Sequence, residues 1–227
     1  MLIEKLVLKG FEVISANTDG IITIVPKDKE EAYKDICADW CKITTYELEY
    51  TEYLTYIRTS VNDYIAVKSL DPIKTKEKGL FVPKDKLSLM KGIDKPIISS
   101  ALYHYLMFNT PIEDTIYATK NIYDFCIAKK TDKKFVNEFH YMESGLHKID
   151  TLQKSLRFFI STDGGALYKV DKKDNKHISY CVGRKVSILN DNKVHKDIRD
   201  YNIDYGYYVK ETQKLIDEII NPQLTLF

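Results

Sequence analysis

The stretch Phe11 to Pro26, FEVISANTDGIITIVP, decides how the fold is read. Residues 11–16 and 21–25 are two short runs rich in β-branched and apolar residues, and Asn17-Thr18-Asp19-Gly20 between them is turn chemistry. Pro26 stops the second run. This is a β-hairpin. On its N-terminal side, apolar residues at 2, 3, 6 and 7 follow a helical period that Gly10 ends. On its C-terminal side, Asp28 caps a predicted helix over about 29–42, with Glu30 and Glu31 in the first turn. A hairpin flanked by two helices points to the α+β class with an antiparallel sheet.

Farther along, Thr55 to Arg58 and Tyr64 to Val67 read as strands around the turn Ser60-Val61-Asn62-Asp63. Residues 68–94 read as a basic, loop-rich linker holding Pro72, Gly79, Pro83 and Gly92. Helices are expected from Pro96 to about Phe108 and from Thr110 to about Phe125. After Lys129 the pattern is mixed. Residues 152–160 fit helix or strand, Gly164-Gly165 reads as a turn, and Ala166 to Val170 as a short strand. Residues 178–189 are strand-like, and a helix from Tyr207 closes before Pro222. The expected architecture is therefore α+β: an antiparallel sheet piece with a flanking helix, then a mainly helical part with some strand. The boundaries expected are 1–70, 71–220 and a tail at 221–227.

The chain has 227 residues, 44% hydrophobic, which excludes disorder and allows one large or two small domains. Its net charge of +1 conceals a pattern: residues 1–67 carry −5, 68–95 carry +4 and 96–227 carry +2. An acidic segment beside a lysine-dense strip suits a metal-dependent phosphoryl-transfer site on DNA, where carboxylates hold cations and lysines hold phosphates. Solvated lysine loops are the plainer reading of the same strip. No apolar run approaches the length of a membrane span and no leader pattern opens the chain, so a soluble intracellular protein is expected. Cys37, Cys41, Cys126 and Cys181 lack disulfide or zinc spacing and read as reduced thiols. His104, His140, His147, His177 and His195 show no metal-ligand spacing either.

A carboxylate at a hairpin tip is either part of the turn or a rigidly presented metal ligand. Here the residues carry a resemblance. FEVISANTDGIITI after an amphipathic helix resembles the third polymerase motif of family B DNA polymerases, Y-x-D-T-D-S between two palm strands. YIRTSVNDYIAV at 56–67 resembles the K-x-Y region that follows it and holds the primer terminus. Lys74 to Gly79, KTKEKG, is similar to the next basic, glycine-ended loop, and PIISSAL from Pro96 to the start of the thumb. YNIDYGYY from Tyr201, with its final helix, is similar to the end of such polymerases. The resemblance makes 1–70 the end of the palm and 71–220 the linker and thumb. It implies that Asp19 is catalytic and binds Mg²⁺, and that Asn62, Tyr64, Arg58, Lys68, Lys74, Lys76 and Lys78 grip DNA. Asn17 stands where the family has its first aspartate, Gly20 where it has serine, and Asn62 at the K-x-Y lysine.

Two-metal nucleotidyl transfer needs at least two carboxylates. The family's partner motifs, D-x-x-S-L-Y-P and K-x-x-x-N-S-x-Y-G, are lacking in this sequence. The resemblance therefore implies the C-terminal part of a DNA-directed DNA polymerase, inactive alone. A second, N-terminal polymerase chain would complete the Mg²⁺ site and bring dNTP to primer-template DNA. The closing residues Gln223-Leu224-Thr225-Leu226-Phe227 resemble the Q-L-[SD]-L-F peptide that holds a bacterial sliding clamp. Gln223 would hydrogen-bond, while Leu224, Leu226 and Phe227 would anchor in an apolar pocket. That places the protein in a bacterial cytoplasm, phage-encoded or not. A non-catalytic DNA-binding or clamp-tethering module derived from a polymerase is the alternative.

Overall fold

The computed structural model describes residues 1–69, 75–82, 94–191 and 197–220. The chain divides into two units, Met1–Gly79 and Leu80–Phe227. The boundary expected after residue 70 thus lies farther along. The reason is a strand inside the lysine strip, Thr75–Lys78, which pairs with the sheet of the first unit.

In the first unit, helix α1 (Leu2–Leu8) leads through Gly10, at φ +80°, into the hairpin β1 (Glu12–Ala16) and β2 (Ile21–Ile24). The antiparallel register ends on Ala16 opposite Ile21, with an irregularity between Val13 and Ser15. A single 3-10 turn at Lys27–Lys29 precedes helix α2 (Glu30–Thr44). Leu2 and Leu6 of α1, Phe11, and Cys37 of α2 are buried together. Val13, Ile21, Tyr33, Ile36 and Trp40 pack around them. Both helices therefore cover the hairpin with the apolar stripes that their periodicity encodes. The chain then forms a three-stranded antiparallel sheet in the order β3 (Tyr53–Ser60), β4 (Asp63–Lys68), β5 (Thr75–Lys78). Gly79, at φ +61°, lies so close to the β3–β4 turn that a Cβ would overlap Asp63 and the Asn62 carbonyl.

The second unit is richer in strand than expected. Its helices are α3 (Pro96–Phe108), α4 (Ile112–Ala118) and α5 (Tyr205–Ile220). Pro96 occupies the first turn of α3, and Asn109, left-handed at φ 54°, terminates it. The second predicted helix stops at Ala118. The remainder is a 3-10 turn at Ile122–Phe125, capped by the Asn121 side chain accepting from the Tyr123 amide.

Strand β6 (Ile127–Lys130) follows, then the hairpin β7 (Phe135–Glu143) and β8 (Leu146–Leu152). Ser144 and Gly145 both hold positive φ at its turn, as tight hairpins require. Strand β9 runs over 17 residues, Ser155–Asp171, more than any helix among the described residues. It replaces the expected turn at Gly164-Gly165. Its first half pairs with β6 and with β11 (Val186–Ile188), and its second half with β7 and with β10 (His177–Ser179). The two glycines sit where the strand changes partners. A Cβ on Gly164 would overlap the Val186 carbonyl, and one on Gly165 the His140 carbonyl. They are there for close backbone approach rather than for turning the chain.

Beneath these strands, Leu102, Ile116, Phe125, Phe158, Phe159, Ile160, Val186, Tyr208 and Ile216 are fully buried. The Tyr208 hydroxyl donates to the Phe125 carbonyl at 2.7 Å and accepts from the Ile160 amide at 3.0 Å, tying α5 to β9. All four cysteines are free, and burial pushes the Cys126 thiol up to about 12, so it is a packing residue rather than a nucleophile. Among the described residues no helix is long and apolar enough to cross a membrane.

Candidate nucleic-acid interface

Residues directly opposite one another in an antiparallel ladder project from the same face, and so do alternate residues within a strand. Arg58 is opposite Tyr64, and Tyr64 is opposite Lys78. One step along, Tyr56 is opposite Ala66, and Ala66 is opposite Lys76. A further step places Tyr53 opposite Lys68. One face of the sheet thus carries Arg58, Lys68, Lys76 and Lys78 interleaved with Tyr53, Tyr56 and Tyr64. The Tyr56 and Tyr64 ring centroids are 5.5 Å apart, and those of Tyr53 and Tyr56 6.1 Å. The opposite face buries Ile65 and Val67. Arg58, Lys76 and Lys78 are exposed, whereas the three tyrosines are half-buried.

The structure therefore brings together five residues singled out in the sequence: Arg58, Tyr64, Lys68, Lys76 and Lys78. It adds Tyr53 and Tyr56, which are three residues apart and so carry no period-two signal; the irregularity between Tyr53 and Thr55 brings both to one side. Asn62 is not on this face. It occupies the β3–β4 turn, where its amide donates to Ser60 Oγ at 3.1 Å. Lys74 and the tail residues Gln223, Leu224, Leu226 and Phe227 lie outside the described residues.

A hydrogen bond from Arg58 Nη1 to Ser15 Oγ, at 3.4 Å, links the hairpin to this face. Two residues beyond Ser15, Asn17 builds the tip. Its Oδ1 accepts from the amides of Asp19, at 2.9 Å, and Gly20, at 2.8 Å, and its own amide donates to the Gly20 carbonyl. None of residues 17–20 has positive φ. The tip is thus closed by the Asn17 side chain and not, as its composition suggests, by left-handed backbone. Asp19 is exposed, and among the described residues its carboxylate has no partner.

The described residues contain one group of three potential metal ligands, and it is elsewhere: Glu138, His140 and His177. Sequence spacing did not reveal it, because His140 and His177 sit on separate strands that share only β9 as a neighbour. Comparison with protein-family models, with curated proteins and with solved structures finds no match for this chain.

Proposed function

We propose that this chain is the closing portion, end of palm plus thumb, of a family B DNA polymerase. In this reading it grips primer-template DNA and supplies Asp19 to a catalytic site completed by a second chain. The observation that carries the reading is the sheet face on which Arg58, Lys68, Lys76 and Lys78 alternate with three tyrosines. Cations spaced along a twisted sheet neutralise successive phosphates, and half-buried tyrosine rings offer flat surfaces to sugars and bases. Such contacts read the backbone and not the sequence, so binding is salt-sensitive and sequence-independent.

Asp19 fits a hard dication as one ligand. It is an exposed carboxylate without a competing partner among the described residues, held on a hairpin whose tip Asn17 stiffens. Mg²⁺, when bound, would neutralise charge on the nucleotide phosphates and lower the pKa of the primer hydroxyl. Asp19 would hold it, Tyr64 and Arg58 would position the primer end, and Lys68, Lys76 and Lys78 would fix the backbone behind it. The dNTP contacts and the remaining carboxylate belong to the N-terminal chain. The terminal Gln223 to Phe227 peptide would tether the assembly to a bacterial-type sliding clamp in the cytoplasm.

A second reading, a DNA-binding or clamp-tethering module without catalysis, draws on one observation. Asn17 replaces a carboxylate and uses its oxygen to close the turn. Fluorescence anisotropy on primer-template DNA across a salt series tests the shared part. Replacing Arg58, Lys76 and Lys78 together by Ala should weaken binding and flatten the slope of log K against log salt by about 0.9 per lost contact. An unchanged slope would remove the interface. Primer extension with an upstream chain carrying the missing motifs separates the two readings. Asp19→Ala should abolish extension while leaving DNA affinity intact, and full extension by that variant excludes the metal role. Deleting residues 223–227 should abolish clamp binding in a calorimetric titration.

A further inference from the structure

We propose that the second unit holds a transition-metal dication, of the zinc type, on Glu138, His140 and His177. Glu138 and His140 are two apart on β7 and so share one face of the sheet. Across the sheet, Glu138 is opposite Tyr168 of β9, and Tyr168 is opposite Ser179 of β10. His177 stands two residues before Ser179, so it joins the same face. The Oε2 of Glu138 is 3.0 Å from His140 Nε2 and 3.3 Å from His177 Nε2. The three ligand atoms all lie within 4.8 Å of one another. With metal–ligand bonds of about 2.0–2.1 Å, a tetrahedral site has edges of roughly 3.3 Å, close to the two shorter separations.

The surroundings of His177 orient its Nε2 toward Glu138 and suit a bound cation. Its Nδ1 faces the Asn175 carbonyl at 3.1 Å, an oxygen that only accepts. Nδ1 is therefore the protonated nitrogen, and a neutral ring presents a lone pair at Nε2. That lone pair is aimed at a carboxylate oxygen. Two acceptors facing each other repel unless a positive charge sits between them. A proton on Nε2, which pairs His177 with Glu138 as an ion pair, or a metal ion resolves this, and an imidazole that donates its other N–H to a backbone carbonyl is the usual orientation of a ligating histidine. Asn175 is held at φ 59°, a conformation asparagine tolerates, and that turn positions the carbonyl.

Around the cluster, His140 has the rings of Tyr168 at 4.9 Å and His147 at 5.4 Å. Glu138 and His140 are only partly exposed, with side-chain accessibilities of 23% and 18%, whereas His177 is open at 40%. Two imidazoles and one carboxylate leave a tetrahedral ion one position for water or for His147. Imidazole donors suit zinc, cobalt or nickel and not magnesium, so this site is chemically distinct from one built around Asp19.

Titration of the full, untagged chain with Co²⁺ tests the site. One equivalent should bring up the visible d–d absorption of four- or five-coordinate cobalt, and Zn²⁺ should bleach it. Excess Mg²⁺ should leave it unchanged. His177→Ala and Glu138→Gln should each weaken Co²⁺ binding by more than about 100-fold, beyond the loss of an outer-shell partner. His104→Ala, on α3, should have no effect. His177 is exposed, so its replacement opens no core. Should His140→Ala fail to fold, the other two variants carry the test. Octahedral, weakly absorbing cobalt in the wild-type protein overturns the proposal. So does a His177→Ala variant that binds as tightly as the parent.

Discussion

Around the hairpin of the first unit the buried cluster is small, Leu2, Leu6, Phe11 and Cys37, and most of its neighbours are only half-buried. The second unit buries Phe125, Phe158, Phe159 and Tyr208 completely, together with Ile97, Leu102, Ile116, Ile122, Ile160 and Ile216. Both units spread polar side chains over one face of an antiparallel sheet. Only the second backs its strands with a deep aromatic core. A small domain with a thin core has little stability to spare. The first unit gives much of its surface to charge, whereas the second carries Glu138 and His140, only partly exposed, on a strand paired on both sides. Of the two, the second is expected to be the more stable.

The largest effect is expected from Phe158→Ala, at about 3–5 kcal/mol for a buried aromatic ring. The chain's one tryptophan, Trp40, lies in the first unit, so its fluorescence reports on that unit while far-UV circular dichroism follows both. In urea the Trp40 transition of the parent should precede the main dichroism transition. Phe158→Ala should close or reverse that gap. Coincident transitions in the parent would erase the contrast between the units.

Tyr208→Phe asks how much of the second core is polar. It strips the hydroxyl from the Phe125 carbonyl and the Ile160 amide, at about 1–3 kcal/mol for the buried polar groups left unsatisfied. A loss below about 0.5 kcal/mol would make Tyr208 a space-filler alone. Burial raises its phenol far above the ordinary range, so its absorbance should not shift with alkali until the unit unfolds. Gly165→Ala comes next. Its Cβ would collide with the His140 carbonyl, so β7 must move at a cost of about 1–3 kcal/mol. The displacement should also weaken Co²⁺ binding at His140.

The smallest effect is at the surface of the second unit. The Arg199 guanidinium and amide hold the Asp197 carboxyl down to about 2 from an ordinary 3.8. A depressed folded-state value means the contribution to stability is present above about pH 4 and is lost as pH falls through about 2. Carboxyl-carbon NMR titration checks the value. In Asp197→Asn the acid-induced loss of the cap at Ile198–Tyr201 should no longer follow pH in that window.

Local chemistry was legible wherever one short segment decides its own structure. The α1–hairpin–α2 order, the 53–68 hairpin, α3 from Pro96 and the closing helix all follow from periodicity and from residues that start or stop elements. The cation face was half legible. Arg58, Tyr64 and the lysines stood out by type, but their common side depended on β5 being a strand, which the lysine-rich composition of Lys74 to Lys78 argues against. The second unit was less legible. Its hairpin at Ser144-Gly145 lies in a mixed pattern that names no element, and the adjacent glycines Gly164-Gly165, which normally mark a turn, hide the continuity of β9.

By itself the sequence determined which residues make turns and caps, which faces of α1 and α2 are apolar, and that a carboxylate stands at a hairpin tip. Those features are set by interactions within a few residues, such as Asn17 closing its own loop. Only the tertiary structure decided that β9 serves two sets of partners and that His177 faces Glu138 across it. Strand pairing between distant segments is chosen by the packing of the whole sheet, and a period-two pattern names a face without naming its neighbour.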